Sequence, residues 1–126
     1  MFDFSNFKVF DFSEGQPHMT VTNNGVIFSK GVVAKLNKPE FITLMINYDS
    51  KIIAIKSCNK HIKTSVPFYK SNSQFSYVRL ASKSLLQEIE NLTEWNINLY
   101  KYKIIGTLLR DDNAMLFDLK EATEII

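Results

Sequence analysis

Nine residues of this chain are echoed 53 positions later. Phe28 to Leu36 reads Phe-Ser-Lys-Gly-Val-Val-Ala-Lys-Leu, and Ala81 to Ile89 reads Ala-Ser-Lys-Ser-Leu-Leu-Gln-Glu-Ile. The offset sets Ser29 on Ser82, Lys30 on Lys83, Val32 on Leu85, Val33 on Leu86 and Leu36 on Ile89. A short apolar run precedes each copy and a hairpin pattern follows it, so the repeating unit is strand, helix, strand, strand. A duplicated unit constrains the fold more than any composition figure, because neighbouring copies bury their apolar faces against each other. The expected organisation is an arm over residues 1–18, repeat one over 19–57, a linker over 58–74 and repeat two over 75–126. Both repeats build one compact domain.

Local chemistry fills in the units. Met19-Thr20-Val21-Thr22 alternates as a strand does, Asn23-Asn24-Gly25 is turn chemistry, and Val26-Ile27-Phe28 returns. Ser29 is placed to cap a short helix whose apolar side is Val32, Val33 and Leu36, and Asn37-Lys38-Pro39 stops it. Ile42, Leu44 and Ile46 share one strand face, Tyr48 to Lys51 turns the chain, and Ile52 to Lys56 returns. Repeat two has a strand at Phe75–Leu80 and a helix capped by Ser82 or Ser84, with Gln87 set for a capping box with Ser84. Its hairpin runs over Lys101–Leu109 and Ala114–Leu119 around the turn Arg110 to Asn113. Here the offset grows to 62, because Thr93 to Tyr100 has no counterpart in repeat one. The arm carries Phe2, Phe4, Phe7, Phe10 and Phe12. We read it as an extended segment, with one strand at most, whose rings cap the core of the same chain or meet a partner, and Glu14-Gly15-Gln16-Pro17 closes it.

The formal charge of +2 conceals a block pattern. Residues 1–18 hold Lys8 against three acids, net −2; residues 19–70 hold eight lysines against Glu40 and Asp49, net +6; residues 71–126 hold six basic against eight acidic groups, net −2. Such asymmetry fits an anionic partner for repeat one, or mutual neutralisation of the two halves. A hydrophobic fraction of 45% with 22% charged residues is that of an ordinary globular protein. No run approaches the roughly 18 apolar residues a membrane span requires. One cysteine excludes an internal disulfide and fits a reducing compartment, so the expected location is the cytoplasm.

Reactive constellations are sparse. Cys58 and His61 stand three apart, but a structural zinc site takes about four ligands and His18, the other histidine, is remote. Asp111 and Asp112 form a carboxylate pair in a position where turns favour aspartate. No glycine-rich phosphate loop is present. Trp95, Tyr100 and Tyr102 could stack on bases or on a partner, or pack the inserted loop onto the barrel. The expectation is therefore a non-enzyme with no cofactor, no metal and no small-molecule substrate.

In its order of elements the chain resembles the swapped-hairpin barrels of the AbrB and MazE group of bacterial DNA-binding proteins, and most of all the MraZ arrangement of two units in one polypeptide. The resemblance covers residues 19–57 and 75–120. It implies an α+β, mostly β fold, a pseudo-two-fold β-barrel of two β-α-β-β repeats. It also implies a bacterial or phage-type regulator that binds double-stranded DNA. The positions matching phosphate-contacting residues are Lys30 and Lys35 in repeat one and Arg79 and Lys83 in repeat two, with Lys38 beside them at the end of the first helix. The alternative is a protein-interaction or structural module that uses the Phe-rich arm, through which it could form a homodimer, and the Trp95 loop.

Overall fold

The computed structural model describes residues 1–9 and 15–125; Phe10, Phe12 and Glu14, on which part of the arm expectation rests, lie outside them. Nine strands and two α-helices occur among the described residues, with single turns of 3-10 helix at Arg110–Asp112 and Leu119–Glu121. In chain order they are β1 His18–Thr22, β2 Gly25–Phe28, α1 Lys30–Lys35, β3 Phe41–Asn47, β4 Ile52–Ser57, β5 Val66–Pro67, β6 Val78–Leu80, α2 Lys83–Thr93, β7 Lys101–Leu109, β8 Ala114–Asp118 and β9 Thr123–Ile125. The architecture is mostly β, one curled antiparallel sheet forming a half-barrel with two helices. No helix among these residues is long and apolar enough to cross a membrane.

Both helices begin after a serine, but the two serines work differently. Ser82 caps α2 as its residue type predicts, its Oγ accepting from Leu85 N at 3.2 Å. Ser84 sits inside that helix, with its hydroxyl 3.1 Å from that of Ser82, so the expected Ser84–Gln87 box gives way to the Ser82 cap. The Ser29 hydroxyl instead accepts from His18 N at 3.0 Å, fastening α1 to the start of β1. Proline is not what ends α1. Lys38 N donates to Val33 O at 2.8 Å and Asn37 N to Ala34 O at 3.0 Å, a Schellman closure with Asn37 at φ 63°.

The sheet runs β5-β3-β4-β8-β7-β1-β2-β6, and β9 adds to the first part of β7. Consecutive hairpins supply β1–β2, β3–β4 and β7–β8. Joining the halves are three ladders between distant segments: β1 with β7, pairing Met19 with Ile104, β2 with β6, pairing Val26 with Leu80 and Ile27 with Arg79, and β4 with β8, pairing Ala54 with Leu116. Alternation then sends Met19, Val21, Val26, Phe28, Ile53, Ile55, Ile104, Met115 and Phe117 inward, where they are buried with Val32, Leu36 and Ile89 of the helices. Phe28 lies at the centre, edge-on to Phe68 at 5.4 Å and to Phe117 at 5.7 Å.

One strand is shorter than expected, one is unanticipated, and the arm packs otherwise than expected. The strand proposed for Phe75–Leu80 is only Val78–Leu80: Phe28 pairs with Val78, and beyond that pair β2 gives way to α1, leaving residues 75–77 no ladder to join. Strand β9, whose three residues are all exposed, carries no alternation to announce it; it forms because β7 outruns β8 and offers Lys101–Lys103 as an edge. Nor do the described rings of the arm cap the core. Phe2, Phe4 and Phe7 pack edge-on upon one another at 4.8, 5.6 and 5.8 Å and stay roughly two-thirds exposed, with no strand among residues 1–9. A local turn, Phe7 N to Phe4 O at 2.9 Å, explains it by bringing rings three residues apart together.

Candidate nucleic-acid interface

Of the five basic residues singled out from the sequence, the structure groups three. Lys30, Lys35 and Lys38 belong to α1 and its closure, at the end of the sheet where β4 finishes and β8 begins. Asn113 welds this corner: its Nδ2 donates to Leu36 O at 3.3 Å and to Ser57 Oγ at 2.6 Å, while its backbone carbonyl accepts from Ser57 N at 3.2 Å. Asn113 can serve all three because it stands in the left-handed region, φ 46°, which asparagine tolerates better than most residues. Lys56, one residue before Ser57, and Arg110, which opens the turn that Asn113 closes, therefore join Lys35 and Lys38 here. Lys35, Lys38, Lys56 and Arg110 are all exposed, and Asp111 and Asp112 in the same turn are their acidic counterweight.

Arg79 and Lys83 stand elsewhere. Arg79 is exposed on the outer face of β6, opposite Ile27. Lys83 begins α2 beyond the far end of that ladder, so β2 and β6, running antiparallel, send Lys30 and Lys83 off in opposite directions. The surroundings of Lys83 are acidic. Its helix carries Glu88, Glu90 and Glu94, and Tyr48 in the β3–β4 turn donates to Glu88 at 3.3 Å, which raises the Tyr48 phenol above its ordinary pKa through the negative charge beside it. Asp118 lies near the same turn and is paired with Lys120 at 2.9 Å; the hydrogen bond from Lys120 holds its carboxyl below the usual range. Lys120 Nζ also donates to Ser50 O. Basic side chains thus gather around α1, with Asp111 and Asp112 beside them, glutamates gather along α2, and at the opposite turn Lys51 and Lys120 offset Asp49 and Asp118.

The inserted loop packs on its own barrel. Trp95 stacks on Tyr102 with ring centroids 4.2 Å apart and planes 8° from parallel. The Tyr102 hydroxyl accepts from Asn96 N and donates to Glu124 Oε1, each at 3.3 Å. Burial raises its pKa and the Glu124 carboxylate adds to the effect, while the bond from Asn96 opposes them. A hollow of about 340 Å³ beside this stack has Lys51, Lys120 and Glu124 at its rim. Cys58 is half-buried with its N–H bonded to Phe41 O, whereas His61 is exposed and its N–H is held by Asn59 Oδ1 at 3.0 Å. Among the described residues no three histidine, cysteine or acidic side chains converge as a metal site.

Sequence reasoning missed Lys56 and Arg110 as companions of the α1 lysines. The signal existed only in the pairing of β4 with β8, which joins residues some sixty positions apart. Compared with protein-family models, curated proteins and solved structures, the chain matches none of them.

Proposed function

We propose that this chain is a non-catalytic DNA-binding regulator, of the bacterial or phage type to which AbrB and MraZ proteins belong, that docks its α1 corner on a duplex backbone. The observation that carries the reading is the assembly of Lys35, Lys38, Lys56 and Arg110 around the Asn113 weld, where four cations outnumber the carboxylates of Asp111 and Asp112 and stand away from the glutamates of α2. Lysine and arginine on a rigid corner neutralise phosphates and release counterions, which supplies affinity without base choice.

Register arithmetic supports the pseudo-two-fold barrel that belongs with this reading. The 53-residue offset turns Val26 into Arg79 and Ile27 into Leu80; in the β2–β6 ladder Val26 faces Leu80 and Ile27 faces Arg79, so exchanging the copies maps the ladder onto itself. The 62-residue offset turns Ala54 into Leu116, and these two face each other directly. A two-fold axis through both ladders accounts for both coincidences.

The test is the triple variant Lys35→Glu, Lys38→Glu, Lys56→Glu, with duplex retention followed across a salt series. Three lost phosphate contacts are expected to weaken binding and to reduce the log–log salt slope by about 2–3. Unchanged retention, or a parent protein that holds no duplex, overturns the reading.

A second reading has its own observation, the exposed knot of Phe2, Phe4 and Phe7. Apolar rings gathered at the surface favour a contact module through which two copies associate. On this reading, removing residues 1–9 lowers the mass seen by sedimentation while the far-ultraviolet circular dichroism of the barrel is kept. An unaltered mass counts against it.

A further inference from the structure

The curled sheet does not close upon itself. Its strand order ends on β5 and β6, with β9 a branch on β7, and among the described residues the seam between β5 and β6 is spanned by the chain from Phe68 to Tyr77 instead of by ladder hydrogen bonds. Phe68 fills the inner side of the seam, buried against Phe28. Beyond it the chain makes a turn in which Ser73 N donates to Lys70 O at 2.9 Å and Ser73 Oγ accepts from Phe75 N at 3.1 Å. What remains on the outside is an open hollow of about 360 Å³ walled by Phe68, Tyr69, Lys70, Phe75, Tyr77 and Arg79. That volume is within the roughly 300–1,000 Å³ common for small-ligand sites.

The chemistry of the wall is selective. It combines aromatic rings with two cations and contains no carboxylate. Phe75 and Tyr77 are 49% and 43% exposed, and their rings, 5.3 Å apart, are tilted by 42° and so are not stacked face to face. This contrasts with Trp95, whose face is already taken by Tyr102. The seam also adjoins the basic corner, because Tyr69 N donates to Pro39 O at 3.0 Å and Phe68 N to Glu40 O at 2.8 Å, immediately after the α1 closure at Lys38. Glu40 lines the neighbouring hollow with Lys70.

We propose that this seam binds unpaired bases of single-stranded nucleic acid, with Phe75 and Tyr77 taking bases by stacking and Lys70 and Arg79 holding the adjoining phosphates. Half-exposed rings beside cations are the arrangement that tracks a single strand, since every base has a π-face and every linkage a negative charge. A duplex cannot use the rings, because its bases are stacked inside. An acidic peptide would use the cations but leave the ring pair idle. The proposal rests on the nucleic-acid reading for the class of partner and adds a second, separate site for strands that are not paired.

Fluorescence anisotropy of a short labelled oligothymidine and of a labelled duplex, each titrated with the full chain, tests it. The Phe75→Ala, Tyr77→Ala double variant is expected to lose at least about tenfold in oligothymidine affinity, the effect of removing a stacking ring, and less than twofold in duplex affinity. Should that variant fail to keep its circular dichroism spectrum, Lys70→Gln with Arg79→Gln provides the same comparison, with a smaller salt slope for the single strand. Unchanged oligothymidine binding in a folded variant overturns the proposal, and so does a polyglutamate peptide that binds the parent while oligothymidine does not. Duplex binding without oligothymidine binding sinks the seam and spares the α1 reading. Oligothymidine binding that needs Phe75 and Tyr77, beside duplex retention indifferent to the α1 lysines, does the reverse.

Discussion

Phe28→Ala is expected to destabilise the fold by about 3–5 kcal/mol, the usual range for emptying a buried phenylalanine site. The ring has no exposed surface and meets Phe68 and Phe117 edge-on. Those contacts join β2 to β8 and to the segment after β5, three parts of the chain that no turn connects. Because β2 and β8 are held in ladders on both sides, the surrounding backbone has little freedom to collapse into the space. Against a total stability of typically 5–15 kcal/mol, such a loss removes a large share. Urea unfolding should show a midpoint far below that of the parent with a similar slope. A loss under about 1 kcal/mol would mean that the aromatic triad is not the keystone of the core.

Gly106→Val is the converse experiment, adding volume where there is none. An ideal Cβ at this position would stand 2.5 Å from Met115 Sδ and 2.9 Å from Phe117 Cε1. Both side chains are fully buried, and Phe117 is Gly106's own cross-strand partner on β8. Overpacking of this sort typically costs about 1–3 kcal/mol, and a β-branched side chain held in a strand falls at the upper end. Gly15→Ala is the control. That glycine has open space around it but a φ of 70°, so only the left-handed backbone penalty of about 1–2 kcal/mol applies. If the two substitutions cost the same by urea unfolding, the packing of β7 against β8 is looser than these distances imply.

The site divides along the same line as the fold. Lys30, Lys35 and Lys38 could be grouped from their numbers alone, because a helix and its closure keep neighbours in sequence together in space. Lys83 could not be separated from them by any local rule. The duplication sets Lys83 on Lys30, and only the antiparallel course of β2 and β6 sends the two to opposite ends. Lys56 and Arg110 entered the corner through Asn113, whose side chain reaches Leu36 across 77 positions of sequence. The seam was illegible for a related reason. Phe75 and Tyr77 alternate as strand residues do, and what keeps them off the sheet is the end of β2, an event in another part of the chain.

By itself, the sequence determined what is local: the strand–helix–hairpin order of both halves, the Asn-Asn turn, the Ser82 cap, the apolar stripes and the block distribution of charge. These follow from backbone preferences and side-chain periodicities that act over a few residues. Tertiary structure decided which strands became edges, how far β6 extends, that β7 recruits β9, that the described rings of the arm pack on each other, and which lysines share a corner. Those outcomes depend on ladders between segments dozens of residues apart. Their register is selected by the burial of whole faces at once, and no short window of sequence contains that information.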